Sequence, residues 1–304
     1  MSDKTGLASS TRANNQKPDS VSELAASVAE VRRQLLNEVK LRRDLIKPLE
    51  QAVRALKDPH SNAVALYEAS ALLEKPPEAL TLPDGYDSLV AELRTLADGK
   101  LSELEFTFAR DLRAIFKEKG IKIEGAPSEL VAGLLVIKPD LRKKQVQITF
   151  SRQPVTSKKI KLDVDQVVSA YERARREICE RKVDLDELLA ELFEAYGRTL
   201  KLAGKQMGAR MSIVDCYREL VLVRQPLGFR KAPSKLSFVD YPKTHFAYDM
   251  LELRRRHKLT HQGHRLNLGT ATIDVGSDTT RAMFLATGAT EGQFIKDIYF
   301  TPEK

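Results

Sequence analysis

Leu134-Leu135-Val136-Ile137 and Val146-Gln147-Ile148-Thr149-Phe150 decide the fold class of this 304-residue chain. The first is a short apolar run. The second alternates apolar and polar residues, which places one face of a strand in a core. Lys138 to Lys144 join them, and Lys158-Lys159-Ile160-Lys161-Leu162 supplies a third, basic edge. Lysines on such an edge also discourage strand-to-strand aggregation. Set among long helical patterns, these strands make the chain α+β and predominantly helical.

Before the strands the period is helical. From about Val21 to Lys57, apolar residues fall at Leu24, Val28, Val31 and Leu35, then at Leu45, Leu49, Ala52 and Leu56. Alternating spacings of four and three form the heptad seam of a coiled-coil-like helix. Glu38 and Arg42 fill the intervening seam positions. Pro48 removes a backbone donor, so a kink or break is expected there. A second helix spans about Ser61 to Glu74 and stops at Lys75-Pro76-Pro77. A third runs from about Tyr86 to Lys119, with Gly99 inside it and Gly120 as its C-cap. Joined by short Pro-containing turns, the three fold back as a helical hairpin or small bundle. Residues 1–20 are polar and aperiodic, the composition of a disordered tail.

After the strands, Asp163 or Asp165 caps a helix of roughly forty residues reaching Leu202, where Gly204 and Gly208 break the pattern. Met211 to Val223 reads as one more helix. Thr244 caps a helix through His257, and strand candidates follow at Arg265–Gly269, Thr270–Val275, Thr280–Leu285 and Phe294–Phe300. A helix followed by a short antiparallel sheet has the outline of a winged helix, by analogy of fold alone. The expected divisions are a tail over 1–20, a helical domain over 21–120, a small sheet with long helices over 121–225, and a basic helix with an antiparallel sheet over 226–304.

Charge is the sequence's main statement about partners. Asp140 to Lys161 carries seven basic residues against one acid, and Arg224 to Arg265 carries ten against three. The chain's net charge is +8, so the two stretches, at +6 and +7, leave the remainder near −5. Segregated positive charge of this kind suits a polyanion, because Lys and Arg displace counterions from phosphates. Trp is absent and aromatics make up 6% of residues, which disfavours an extensive base-stacking platform.

The strongest candidate contact is Arg254-Arg255-Arg256-His257-Lys258, followed by Arg265. Consecutive arginines turn about 100° per step, so they spread over several helix faces. Cations also complement a helix C-terminus without any ligand. Arg142, Lys143 and Lys144, in the turn between the two strands, are the second candidate. His257, His261 and His264 have the spacing of three imidazoles on one helix, but Gly263 opposes a helix reaching the third, and neighbouring arginines repel a cation. Asp249 and Glu252 could share a divalent ion; intrahelical pairing with Arg255 or Arg256 explains them more simply.

Enzyme signatures are sparse. There is no GxxxxGK[ST] loop, no dinucleotide fingerprint and no GxSxG elbow. Cys179 and Cys216 form no metal or redox spacing. No run approaches the roughly 20 apolar residues of a membrane span, and no secretory h-region is visible, so the expected location is cytoplasmic. The function expected is a non-catalytic nucleic-acid-binding accessory or assembly subunit, as in DNA maintenance or defence. It contacts the DNA or RNA backbone through basic patches and a protein partner, or itself, through the N-terminal helices. No cofactor and no bound metal are expected. The alternatives are a helical protein–protein scaffold for an acidic partner and a metal-dependent nuclease using Asp249, Glu252 or the histidines.

Overall fold

The computed structural model describes residues 20–156, 158–272, 276 and 278–303. The expected tail, apart from Ser20, and the end of the strand candidate Thr270–Val275 lie outside them. The described residues form an α+β, predominantly helical protein with eight helices and two antiparallel sheets. They divide into two compact units, the second beginning at Gly99.

The first unit contains α1 (Ser20–Ala55), α2 (Ala63–Leu73) and the start of α3 (Tyr86–Glu118). α1 runs unbroken through Pro48, where a kink or break is the sequence expectation. Pro48, Ala52 and Ala55 are buried, and Gln51 donates a 3.0 Å hydrogen bond to the Ala65 carbonyl of α2. Packing along that face offsets the one backbone bond the proline removes. The other face of α1 is bare. Leu24, Val28, Val31, Leu35, Val39, Ile46 and Val53 are each 51–65% exposed. At 100° per residue they lie within an arc of about 80°. The heptad seam is therefore divided: Leu45, Leu49 and Ala52 turn inward, while its N-terminal members and Leu56 face solvent.

The remainder of α3 belongs to the second unit and contributes Phe108, Leu112 and Phe116 to a core cluster that continues to Phe300. That cluster includes residues on both sides of position 225, where the sequence suggests a division. Gly120, in the left-handed conformation, ends α3, and the Ile121 amide returns to the Phe116 carbonyl at 2.8 Å.

The first sheet has the order β1 (Ile123–Ala126), β2 (Glu129–Ala132), β3 (Leu135–Asp140), β4 (Gln145–Phe150) and β5 (Gln153–Pro154), with β6 (Ile160–Lys161) also pairing with β4. The two deciding stretches are the central pair, in the register Val136↔Thr149 and Ile137↔Ile148. The β1–β2 hairpin, which sequence reasoning passed over, turns at Pro127-Ser128 without the glycine pair that signals such turns.

One helix of forty residues is expected after this sheet; two are found. α4 (Val164–Ile178) is capped by Asp163, whose side chain accepts from the Gln166 amide at 2.9 Å. α5 (Leu185–Leu202) has its own cap, Asp184, which accepts from the Asp186 and Glu187 amides at 3.0 Å each. Met211–Ser212 is strand β7, not the first turn of a helix, and Ser212 caps α6 (Ile213–Val223). A short α7 (Leu227–Lys231) precedes α8 (Lys243–Arg255). Thr244 does not cap α8: Pro242 occupies that position, and Thr244 lies buried in the first turn.

The second sheet has the order β10 (Met283–Ala286), β11 (Gly292–Pro302), β9 (His264–Thr270) and β8 (Thr260–His261), with β7 pairing with β11. Gln262 and Gly263, both at positive φ, form the tight β8–β9 turn.

Candidate nucleic-acid interface

The first basic stretch folds into one corner of the first sheet. Leu141 is buried at the head of the β3–β4 turn, leaving Arg142, Lys143 and Lys144 exposed. Asp140 braces the turn, accepting from the Lys143 amide and pairing with its Nζ, both at 3.2 Å. β6 pairs beside this turn in the register Gln145↔Lys161, and the Leu162 amide donates to the Lys144 carbonyl at 3.0 Å. Strand pairing thus brings Lys161 next to the turn at Lys144, while Lys159 and Lys158 run on along β4 away from it.

Lys158, Lys159 and Lys161 form one wall of an open cavity of about 710 Å³. α4 forms the facing wall through Asp165, Gln166, Ser169, Arg173 and Glu177. Four cations (Lys158, Lys159, Lys161 and Arg173) outnumber two carboxylates there. The walls carry hydroxyl and amide groups between the charges, a donor-rich lining that suits phosphate oxygens.

The second basic stretch behaves differently. Arg254 is half-buried, and its Nη1 is buried without a hydrogen-bond partner among the described residues. Arg255 and Arg256 both turn back to Glu252, at 3.6 and 3.2 Å. Lys258 is paired with Asp186 at the start of α5, at 2.5 Å. Arg265 is exposed on β9, opposite Thr260 and Thr301. The five strongest candidates are therefore partly self-neutralised.

α4 links the two regions. Its first turn is beside β6, while the carbonyl of Cys179, just past its last turn, accepts a 2.7 Å hydrogen bond from Tyr248 of α8. Fifteen residues at 1.5 Å rise separate the two ends by about 22 Å. Arg173 and Arg176 are exposed on α4 between them, while Val167, Tyr171, Ala174 and Ile178 face the core. Sequence reasoning included the three lysines in a basic stretch without selecting them, and passed over both arginines. The lysines were legible as an excess of charge; the arginines sit among acids and separate from them only when the helix forms.

The other candidates resolve into structural roles. Asp249 is fully buried and pairs with Arg181 and Tyr241, while Glu252 holds the two arginines. His257 lies past the end of α8 at positive φ. His261 and His264 sit on the β8–β9 hairpin and pack against Phe193 with ring centroids 5.4 and 5.6 Å away. The three imidazoles do not share a helix. Burial pushes the Cys179 and Cys216 thiols up to about 11 and about 12. No helix among the described residues is long and apolar enough to cross a membrane.

Fold and surface together define a helix-rich α+β protein with a lysine-lined cleft. No protein-family model matches the sequence, and searches of curated proteins and of solved structures return no match.

Proposed function

We propose that this chain is a non-catalytic nucleic-acid-binding subunit that holds the phosphate backbone in the cleft between β6 and α4. The observation that carries this reading is the convergence of Lys158, Lys159, Lys161 and Arg173 on one cavity, with the β3–β4 turn at Lys144 beside the end of β6. Cations gathered from three chain segments give a local field that none of the segments produces alone. Arg176 extends the contact along α4 toward Arg255, and a path of about 22 Å passes several phosphates of either strand type. Backbone contact of this kind positions a polynucleotide without reading its bases.

A metal-dependent nuclease has little support. The carboxylates it would use, Asp249 and Glu252, are both committed to arginines, and Asp249 is closed off from solvent. A protein–protein scaffold is favoured by a different observation, the bare apolar face of α1, and is compatible with polynucleotide binding elsewhere on the chain. The test is fluorescence anisotropy with labelled DNA and RNA. The Lys158→Gln/Lys159→Gln/Lys161→Gln variant should bind at least tenfold more weakly than the unaltered chain while keeping its circular dichroism spectrum.

A further inference from the structure

We infer that a second, smaller cavity, between the β4–β5 turn, the start of α8 and strands β10 and β11, binds a phosphate monoester dianion. The inference does not depend on the β6–α4 cleft, and inorganic phosphate tests it without a polynucleotide.

The β4–β5 turn is held at a conformational cost. Its two central residues, Ser151 and Arg152, lie between the paired Phe150 and Gln153, and both have positive φ, at 50° and 61°. Such turns ordinarily carry Asn-Gly or Gly-Gly, because a side chain crowds the backbone in that region. Ser151 fixes the turn. It is buried, its hydroxyl donates to the Phe284 carbonyl at 2.6 Å, and its Oγ accepts from the Ala286 amide at 3.2 Å. The turn is thereby fastened to β10. Arg152 is carried over the rings of Phe284 and Phe294, its guanidinium carbon 4.2 and 5.2 Å from their centroids. Those rings pack edge to face at 5.1 Å, a firm floor for the guanidinium. Stacking occupies the face of a guanidinium and leaves its N–H edges open to a ligand.

The cavity has a volume of about 200 Å³, with Arg152, Gln153, Lys243, Thr279, Phe284 and Phe294 on its walls. Lys243 is the first residue of α8, so it comes from a different element than Arg152. Among the described residues, no carboxylate lines the cavity, and neither Arg152 nor Lys243 has an ion pair or a side-chain hydrogen bond. Asp278, next to Thr279 in sequence, accepts instead from the Thr280 amide and hydroxyl, at 2.8 and 2.6 Å. The contrast is with Arg255 and Arg256, which Glu252 neutralises.

Charge and donor geometry set the class of ligand. Two cations balance a dianion. The planar fork of Arg152 matches two oxygens of a phosphoryl group, and Lys243 with the Gln153 amide or the Thr279 hydroxyl serves the third. A carboxylate or a phosphodiester offers two free oxygens and a single charge. The volume lies below the range of about 300–1,000 Å³ that holds drug-sized ligands, so the head group enters and the rest of an ester stays outside. Free phosphate and the phosphorylated end of a polynucleotide both present that head group.

The experiment is isothermal titration calorimetry of the full chain with inorganic phosphate at constant ionic strength. Beside it, anisotropy compares one oligonucleotide with and without a 5′ phosphate. Arg152→Gly removes the guanidinium and suits the positive φ, so the turn keeps its shape; Lys243→Gln removes the second cation. Phosphate should bind saturably to the unaltered chain and at least tenfold more weakly to each variant, with circular dichroism unchanged. The Lys158→Gln/Lys159→Gln/Lys161→Gln chain should bind it as the unaltered chain does. That result assigns the free anion. A preference for the 5′-phosphorylated strand that Arg152→Gly abolishes assigns the polynucleotide end. Absence of both signals overturns the proposal. So does phosphate binding that survives Arg152→Gly and Lys243→Gln, or that the triple-lysine substitution abolishes.

Discussion

Tyr241 donates a 2.6 Å hydrogen bond to Oδ2 of Asp249, a carboxylate with no exposed surface. Arg181 pairs with its other oxygen, and Arg224 approaches at 3.8 Å while lying over the Tyr241 ring at 4.3 Å. The cluster ties α8 to the α4–α5 link and the end of α6. Burial nonetheless raises the Asp249 carboxyl above its ordinary range, outweighing the Tyr241 hydrogen bond and the two arginines, and raises the Tyr241 phenol with it. Such a network holds an element in place more than it adds net stability.

Removing one member leaves the others uncompensated. Asp249→Ala should cost about 3–5 kcal/mol, since a buried ion pair loses its anion. Tyr241→Phe should cost about 1.5–3 kcal/mol, the range for a hydrogen bond to a charged group. Urea unfolding followed by circular dichroism measures both. A loss below about 1 kcal/mol for Asp249→Ala would show that the cluster does not secure α8.

His245, half-buried on α8, has its pKa lowered, first by burial, then by the charge of Arg181; Asp240 opposes the shift. The folded state therefore prefers the neutral ring. Its stabilising contribution is fully present above the unfolded value of about 6.5 and is lost as pH falls through the folded pKa. The buried carboxyls of Asp249 and Glu191, whose pKa values are raised, work in the opposite sense and gain stability on acidification. Comparing His245→Gln with the parent isolates the imidazole: the parent should lose stability relative to the variant between pH 7 and pH 5. Parallel pH profiles would remove His245 from the balance.

Asp163→Ala and Asp184→Ala should each lower stability by about 1 kcal/mol, because each removes a helix N-cap. Their effects should add, since the two caps serve separate helices. Asp184 is the more telling position. Within one continuous helix, alanine there would raise stability through its higher propensity. A more stable Asp184→Ala variant would therefore contradict the break between α4 and α5.

The two thiols offer a simple check on packing. With pKa values pushed up to about 11 and about 12, Cys179 and Cys216 are almost wholly protonated at pH 8. Disulfide-exchange reagents should label the native chain slowly and the urea-unfolded chain at both positions quickly. Rapid labelling of native Cys216 would mean that the α5–α6 packing opens readily.

Long periodic elements were legible from the sequence because their signals are repeated. α1 and α3 follow from their apolar spacing, the end of α3 from Gly120, and β4 from alternation over Val146–Phe150. What escaped notice was fixed by partners distant in sequence. The α4–α5 break has no glycine or proline; the Asp184 cap produces it, and Arg181 in the link leaves for Asp249. β7 is two residues whose strand character comes only from pairing with β11. The candidate site divided similarly. The charge excess of Asp140–Lys161 marked the stretch that lines the cleft, but strand register and the face of α4 decided which cations converge there. Helix spacing already paired Glu252 with Arg255 or Arg256, but the run on α8 looked stronger in one dimension because Asp186, the partner of Lys258, lies 72 residues away.

The most direct test is the salt dependence of binding to double-stranded DNA, measured for the unaltered chain, for Lys158→Gln/Lys159→Gln/Lys161→Gln, and for Arg254→Glu/Arg255→Glu/Arg256→Glu. Removing one phosphate-neutralising cation reduces the slope of log K against log salt by about 0.9. The lysine variant should therefore be shallower by about 2.7. The arginine variant should change less, because Glu252 already engages two of its three side chains. An unchanged slope in the lysine variant, or no binding by the unaltered chain at low salt, would contradict phosphate recognition in the β6–α4 cleft.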